Sequence, residues 1–303
     1  MFKYLNRVLR RKLGVDGLVL ELSWIKIRFS TVLIAVSISG LNACAMLPPT
    51  PSVVLTEGYD HSAGENVPAY IITTANATYY LEREGGGLSS MLDKDGIDWI
   101  GFNNIKGSGW KGEYRGFPNA VHKQDGSFFH AMNASTAPSR GEVIVNKPDH
   151  VQIHFISSNG KWKAQWDFYP DRCDFTMLNV SDGYHYWVQY EGVPGGEMDS
   201  SDFWYTSNSN TRQSINTPFD GDLPSPEWIT FGDKKLNRVI YLYSHEDDDL
   251  PDTYASRPYM TVFGFGRKGK EKYLNAPQKF TIGFLESNDY AEISHAMRLK
   301  MAP

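Results

Sequence analysis

Three stretches of the chain concentrate side chains that can move protons or grip anions. The first spans residues 112–122 and carries Glu113, Tyr114, Arg115, Asn119 and His122, with His130 eight positions further on. Gly112, Gly116 and Pro118 punctuate it, so it reads as a shaped loop, not a helix. The second runs through Tyr184, His185, Tyr186, Trp187, Tyr190 and Glu191, and the third holds His245, Tyr254 and Arg257. Arginine grips a carboxylate or sulfate with two parallel hydrogen bonds. Histidine and tyrosine carry protons at neutral and alkaline pH.

That mix suits removal of a proton next to a carboxylate. A cation and an amide neutralise the carboxylate, one His or Tyr takes the proton, and a second assists the leaving group. The catalytic candidates are Arg115, His122, His130, Tyr190 and His245. Glu113, Tyr114, Asn119, Tyr186, Trp187, Glu191 and Arg257 are the candidates for holding substrate. Arg115 as carboxylate clamp is the sharpest expectation, and His122 as proton carrier the second. The implied reaction is β-elimination on a uronic acid of an acidic oligosaccharide or polysaccharide, expelling a glycosidic oxygen (a lyase) or water (a dehydratase). Three alternatives stand beside it. One is a glycoside hydrolase pairing Glu113 with Glu191 or Glu197. Another is a sugar mutarotase, which needs one carboxylate base and one His acid. The third is a carbohydrate-binding module without chemistry.

No metal or cofactor is expected. His150 and His154 lie four apart on an expected strand, which puts them about 13 Å from one another, too far for one ion. The acidic run from His245 to Asp249 lacks the spacing of a calcium loop. No Gly-x-Ser-x-Gly elbow and no phosphate loop occurs.

The elements that must position these groups are strands. Residues 69–73 and 78–82 are rich in β-branched and aromatic side chains. Residues 88–92 and 98–102 flank the turn Asp93-Lys94-Asp95-Gly96, a hairpin signal. From 142 to 180, apolar and polar residues alternate through four strands separated by turn residues, an antiparallel meander with one apolar face. Late strands are expected over 238–244, 260–267 and 279–285, with loop-rich sequence from about 192 to 228. Asp289 and Glu292 have the spacing of a capping box that starts one short terminal helix. The long segment 103–140 is irregular but aromatic, which favours function over disorder. The expected class is all-β: an antiparallel two-sheet β-sandwich with long loops.

Composition narrows the function. The chain has 303 residues, 41% hydrophobic and 14% aromatic, enough to bury a large core. Its net charge of −5 gives no basic excess, so nucleic acid is not an expected partner.

Two sets of residues carry a resemblance. Tyr80-Leu81-Glu82-Arg83-Glu84-Gly85-Gly86-Gly87-Leu88 and Leu92-Asp93-Lys94-Asp95-Gly96 resemble β-sandwich carbohydrate enzymes of the galactose-mutarotase-like superfamily. Glu113-Tyr114-Arg115-Gly116-Phe117-Pro118-Asn119, Trp166-Asp167-Phe168-Tyr169-Pro170 and Tyr190-Glu191-Gly192-Val193-Pro194-Gly195-Gly196 look like a set found in exported bacterial proteins of polysaccharide-degrading organisms. One such type is similar to the oligosaccharide dehydratases of algal polysaccharide breakdown. The resemblance implies a supersandwich or jelly roll and a carbohydrate ligand; it transfers no catalytic residue.

The N-terminus reads as an address. Lys26 and Arg28 precede an apolar run over 29–41, too short to span a bilayer comfortably. Leu41-Asn42-Ala43-Cys44 then resembles a lipoprotein cleavage box, which would make Cys44 the lipid-bearing first residue of a mature, periplasm-facing or surface-facing protein. Residues 1–44 are therefore expected to be an extension and signal peptide, 45–66 a proline-rich tether, and 67–303 the folded domain. Cys173 is then a lone buried thiol.

Overall fold

Alternating side chains build most of the strands, and antiparallel pairing joins them into two layers. The computed structural model describes residues 52–60, 67–102, 115–131 and 138–301. One layer is a nine-stranded sheet in the order Ser209–Ser214, Asp202–Thr206, Trp228–Asp233, Val239–Ser244, Gln278–Leu285, Arg172–Val180, Trp162–Tyr169, His150–Ile156 and Arg140–Lys147. The last four are the expected meander. Val151, Ile153, Phe155, Ala164 and Trp166 are fully buried on its inner face.

The second layer holds two four-stranded sheets. One runs Val54–Asp60, Val67–Thr73, Ala77–Glu82, Leu88–Asp93; the other runs Val188–Gly192, Met260–Phe265, Asp252–Arg257, Phe219–Gly221. Both share one apolar core with the nine-stranded sheet, where Tyr79 and Met91 of the first and Tyr190 and Phe263 of the second join Trp166, Phe231 and Phe284. The fold is thus the antiparallel β-sandwich that the sequence pattern requires.

The backbone of 116–120 stitches the two small sheets together. Leu88 N–H donates to the Phe117 carbonyl at 2.7 Å on one side, and Gly116 N–H to the Glu191 carbonyl at 2.8 Å on the other. Gln189 N–H donates to the Pro118 carbonyl at 2.7 Å, and Trp187 N–H to the Ala120 carbonyl at 3.2 Å. Backbone hydrogen bonding, not projecting side chains, is the main structural use of this stretch.

Part of the outer face of the nine-stranded sheet is covered by the helix Tyr290–Lys300, whose Ile293 and Met297 pack on Phe203, Trp228, Val239 and Tyr241. Asp289 caps it, accepting hydrogen bonds from the N–H groups of Ala291 and Glu292. Asp289→Ala is expected to cost about 1 kcal/mol, read as a fall in the urea midpoint with unchanged slope.

The strand pattern departs from expectation in three places. Within the segment 45–66 expected as a tether, Val54–Asp60 is instead a strand that pairs along its whole length with Val67–Thr73. The expected returning strand at 98–102 is reduced to a bridge between Leu92 and Asp98. The loop-rich reading of 192–228 missed three strands. Asp202–Thr206 is buried on both faces and Ser209–Ser214 is a mostly exposed polar edge, so neither shows alternation. The expected signal peptide and lipidation site at Cys44 lie outside the described residues, as do Glu113 and Tyr114.

Candidate active site

A cleft of about 540 Å³ opens on the outer face of the smaller sheet that ends in Val188–Gly192. Strand alternation decides which residues reach it. Tyr186, Val188 and Tyr190 point into the core, whereas Trp187, Gln189 and Glu191 line the cleft. On Asp252–Arg257, the next strand but one, Tyr254 points inward and Arg257, three residues on, lines the cleft. His122 enters from the short ribbon formed by Val121–His122 and Ser127–Phe128, and Lys272 from the ribbon formed by Arg267–Lys268 and Glu271–Lys272.

Glu191 is 8% exposed, and its Oε2 accepts a hydrogen bond from Asn119 Nδ2 at 2.9 Å. Burial pushes its carboxyl up to about 7, against the pull of Arg257, Arg267 and the Asn119 amide. Asn119 is fully buried with φ of 43°, and its carbonyl accepts from Trp187 Nε1 at 2.7 Å. Gly116 makes room for this arrangement, since a Cβ there would lie 2.6 Å from Asn119 Oδ1.

The cleft is cationic in an acidic protein. Its described lining includes Lys123, Arg257, Arg267, Lys270 and Lys272, against one carboxylate, Glu191. Lys272 Nζ sits 4.5 Å from the Trp187 ring centroid and donates to the His122 carbonyl at 2.6 Å. Arg267 lies flat over Gly264, where a Cβ would stand 2.7 Å from its Cδ, and its guanidinium carbon is 5.5 Å from the Trp187 ring. Trp187 thus aligns two cations along one wall. Burial holds the His122 imidazole down at about 4, helped by Lys123 and Lys272, so it is neutral at pH 7. Beyond Arg257 lies a second depression of about 350 Å³, lined in part by Asp199, Ser200 and Asn216.

The structure therefore gathers His122, Trp187, Glu191 and Arg257 around one space, with Asn119 directly behind Glu191. Arg115 does not line it: its Nη1 donates to the Gly101 carbonyl at 2.9 Å. Tyr190 is buried, donates to the Trp99 carbonyl at 2.6 Å, and burial raises its phenol well above the usual range. Tyr186 is likewise buried and donates to the Ala276 carbonyl at 2.8 Å. His130 lies 5.6 Å from the His122 ring, 3% exposed, and burial holds it at about 3. His245 lies in a different depression, beside Tyr243 and Lys279, with its Nε2 2.8 Å from Thr281 Oγ1. Glu197, one hydrolase candidate, is not among the cleft's lining residues.

Sequence reasoning missed Arg267, Lys272 and Gln189. The parity of the 186–191 strand could have found Gln189 and set Tyr186 and Tyr190 aside. Nothing local marks Arg267 or Lys272, which a ribbon carries back over the sheet.

No protein-family model matches the chain, and no curated protein matches it. Solved structures do. A mutarotase candidate (YeaD) from Salmonella typhimurium aligns with a TM-score of 0.48 and 12% identity over 77% of this chain and 94% of its own. A galactose mutarotase related enzyme from Lactobacillus acidophilus aligns at 0.43 and 9% over 73% and 99%. An alpha-mannosidase from Enterococcus faecalis V583 aligns at 0.46 and 10%, over 77% of this chain and 31% of that one.

Proposed function

We propose that the protein is a carbohydrate-active enzyme for anionic saccharides, with Glu191 as its proton-transfer group. One observation carries this reading: a buried carboxyl held near 7 in a cleft whose other charged lining residues, among those described, are all cationic. A proton carrier works best when it titrates near the working pH. Five cations around one carboxyl favour a ligand that brings its own negative charge.

For a uronate the chemistry is β-elimination. Arg257 and Arg267 neutralise the sugar carboxylate and so acidify the adjacent C–H. Ionised Glu191 takes that proton. The C–H electron pair forms the C=C bond as the C–O bond at the β carbon breaks, and the departing oxygen takes a proton from solvent. The proton role moves from Tyr190 and His130, which lie behind the cleft wall, to Glu191. Trp187 supplies a flat wall for the sugar, and the depression past Arg257 supplies length for an oligosaccharide. A second reading rests on a separate observation. Glu191 and neutral His122 face one cleft, and one carboxylate with one imidazole is the pair that opens a sugar hemiacetal, as in mutarotation.

The test is incubation of the folded domain with uronic oligosaccharides, followed by absorbance of the enol-ether product and by polarimetry. A rising absorbance supports elimination. Faster anomeric exchange without absorbance supports mutarotation. Release of reducing ends without either signal points to hydrolysis. Silence in all three, with retarded migration in polysaccharide gels, leaves a binding protein and removes the enzymatic reading.

Arg267 adds a sharper prediction. Its charge stabilises ionised Glu191, so Arg267→Met should raise the carboxyl further above 4.5. The acidic limb of the pH–rate profile is expected to move to higher pH, and KM for an anionic substrate to rise.

A further inference from the structure

We infer that Asp199, Asp202 and Asp233 form a binding site for a hard divalent cation, calcium in preference to magnesium, set apart from the proton chemistry of Glu191. Asp202 opens one strand of the nine-stranded sheet and Asp233 closes its neighbour, and the two stand directly opposite in the antiparallel register. Like charges at such a pair repel. Asp199 lies on the turn just before Asp202, and one oxygen from each of the three falls within 4.8 Å of the other two.

The protein's own groups do not settle this charge. Asp202 is 1% exposed, and its Oδ1 has no hydrogen-bond partner among the described residues. Its other oxygen accepts only from the Asp199 N–H, at 2.9 Å. Ser201 Oγ has one proton to share between Asp199 Oδ1 and Asp233 Oδ1, and although the N–H groups of Ser201 and Lys235 also donate to these two oxygens, no described group donates to Asp202 Oδ1. The nearby ammonium, Lys235 Nζ, is exposed and pairs with Asp199 Oδ2 at the rim. A buried, unpartnered carboxylate oxygen beside two further carboxylates costs free energy unless a cation or a proton meets it. All the donor atoms are oxygens, which selects a hard ion. Three carboxylates, able to bind through one or both oxygens, with water or backbone carbonyls completing the shell, suit the larger and more adaptable calcium coordination. Asp199 also lines the depression beyond Arg257, so a bound ion would fix that wall.

The rival is a protonated Asp202 that shares its proton with a neighbouring carboxylate. Thermal melts and titration calorimetry of the chelator-treated full chain separate the two. Saturating calcium chloride is expected to raise Tm by about 5 °C, magnesium chloride by less, and Asp202→Asn to abolish the calcium shift. Should Asp202→Asn fail to fold, Asp199→Asn at the more exposed edge is expected to weaken calcium binding at least about tenfold. The inference is overturned if wild type shows neither a Tm shift nor heat of binding, or if a folded variant responds to calcium as wild type does.

Discussion

Glu191→Gln is expected to lower kcat/KM on an anionic saccharide by about 10²–10⁴-fold, the usual worth of a positioned proton carrier. The variant should fold normally. Its amide oxygen can still accept from Asn119 Nδ2, and burying a neutral amide costs less than burying a carboxylate. Tm is therefore expected to hold or rise while turnover collapses, which separates a chemical role from a structural one. The wild-type profile gives a second check. The base must be ionised, so activity should climb through an apparent pKa of about 7 and level off above it. The same shift predicts a stability effect of opposite sense. A carboxyl ordinarily near 4.5 and held at about 7 in the fold stabilises the protonated folded state, so this contribution is full below pH 4.5 and is lost as pH rises to about 7. Glu191→Gln should remove that slope. Near-wild-type turnover in the variant would end the assignment.

The second large effect lies outside the cleft lining. Arg238, with its side chain 5% exposed, pairs with Asp93 and Asp95 of one layer and with Glu286 at the end of a strand in the other. Asp93 is fully enclosed, and its Oδ2 also accepts from Trp99 Nε1 at 2.9 Å. Arg238→Met leaves that carboxylate buried without its cation, which is expected to cost about 3–5 kcal/mol. Urea unfolding measures the loss. Arg238→Met combined with Asp93→Asn should recover much of it, because the penalty comes from the stranded charge and not from the missing arginine. Additive losses in the double variant would refute this account.

These two residues mark what a sequence can and cannot disclose. Alternation over 142–180 specified four strands and their buried face, because period-two patterning is local. Asp289 and Glu292 specified the start of the helix for the same reason, through bonds that span two or three residues. Glu191 was recognisable as a polar group in a promising stretch, yet it counted as a substrate contact or as one carboxylate of a hydrolase pair, not as the base of an elimination. Its elevated pKa comes from burial and is moderated by Arg257 and Arg267, and Arg267 is 76 positions away in sequence. Arg115 attracted attention by type, but its guanidinium turns to the Gly101 carbonyl. The acidic cluster was invisible because Asp199 and Asp202 meet Asp233 only across a strand pair.

The sequence alone determined the all-β class, the meander, the capped terminal helix and the acidic overall charge. Each depends on composition or on neighbours a few residues apart. Tertiary structure decided that residues 116–120 serve as a backbone seam, and that the cleft is cationic while the chain is acidic. It also decided that Glu191, rather than Tyr190 or His130, faces the open space. Burial, register and the approach of distant ribbons set these outcomes, and they are properties of chain segments once packed, which no local pattern contains.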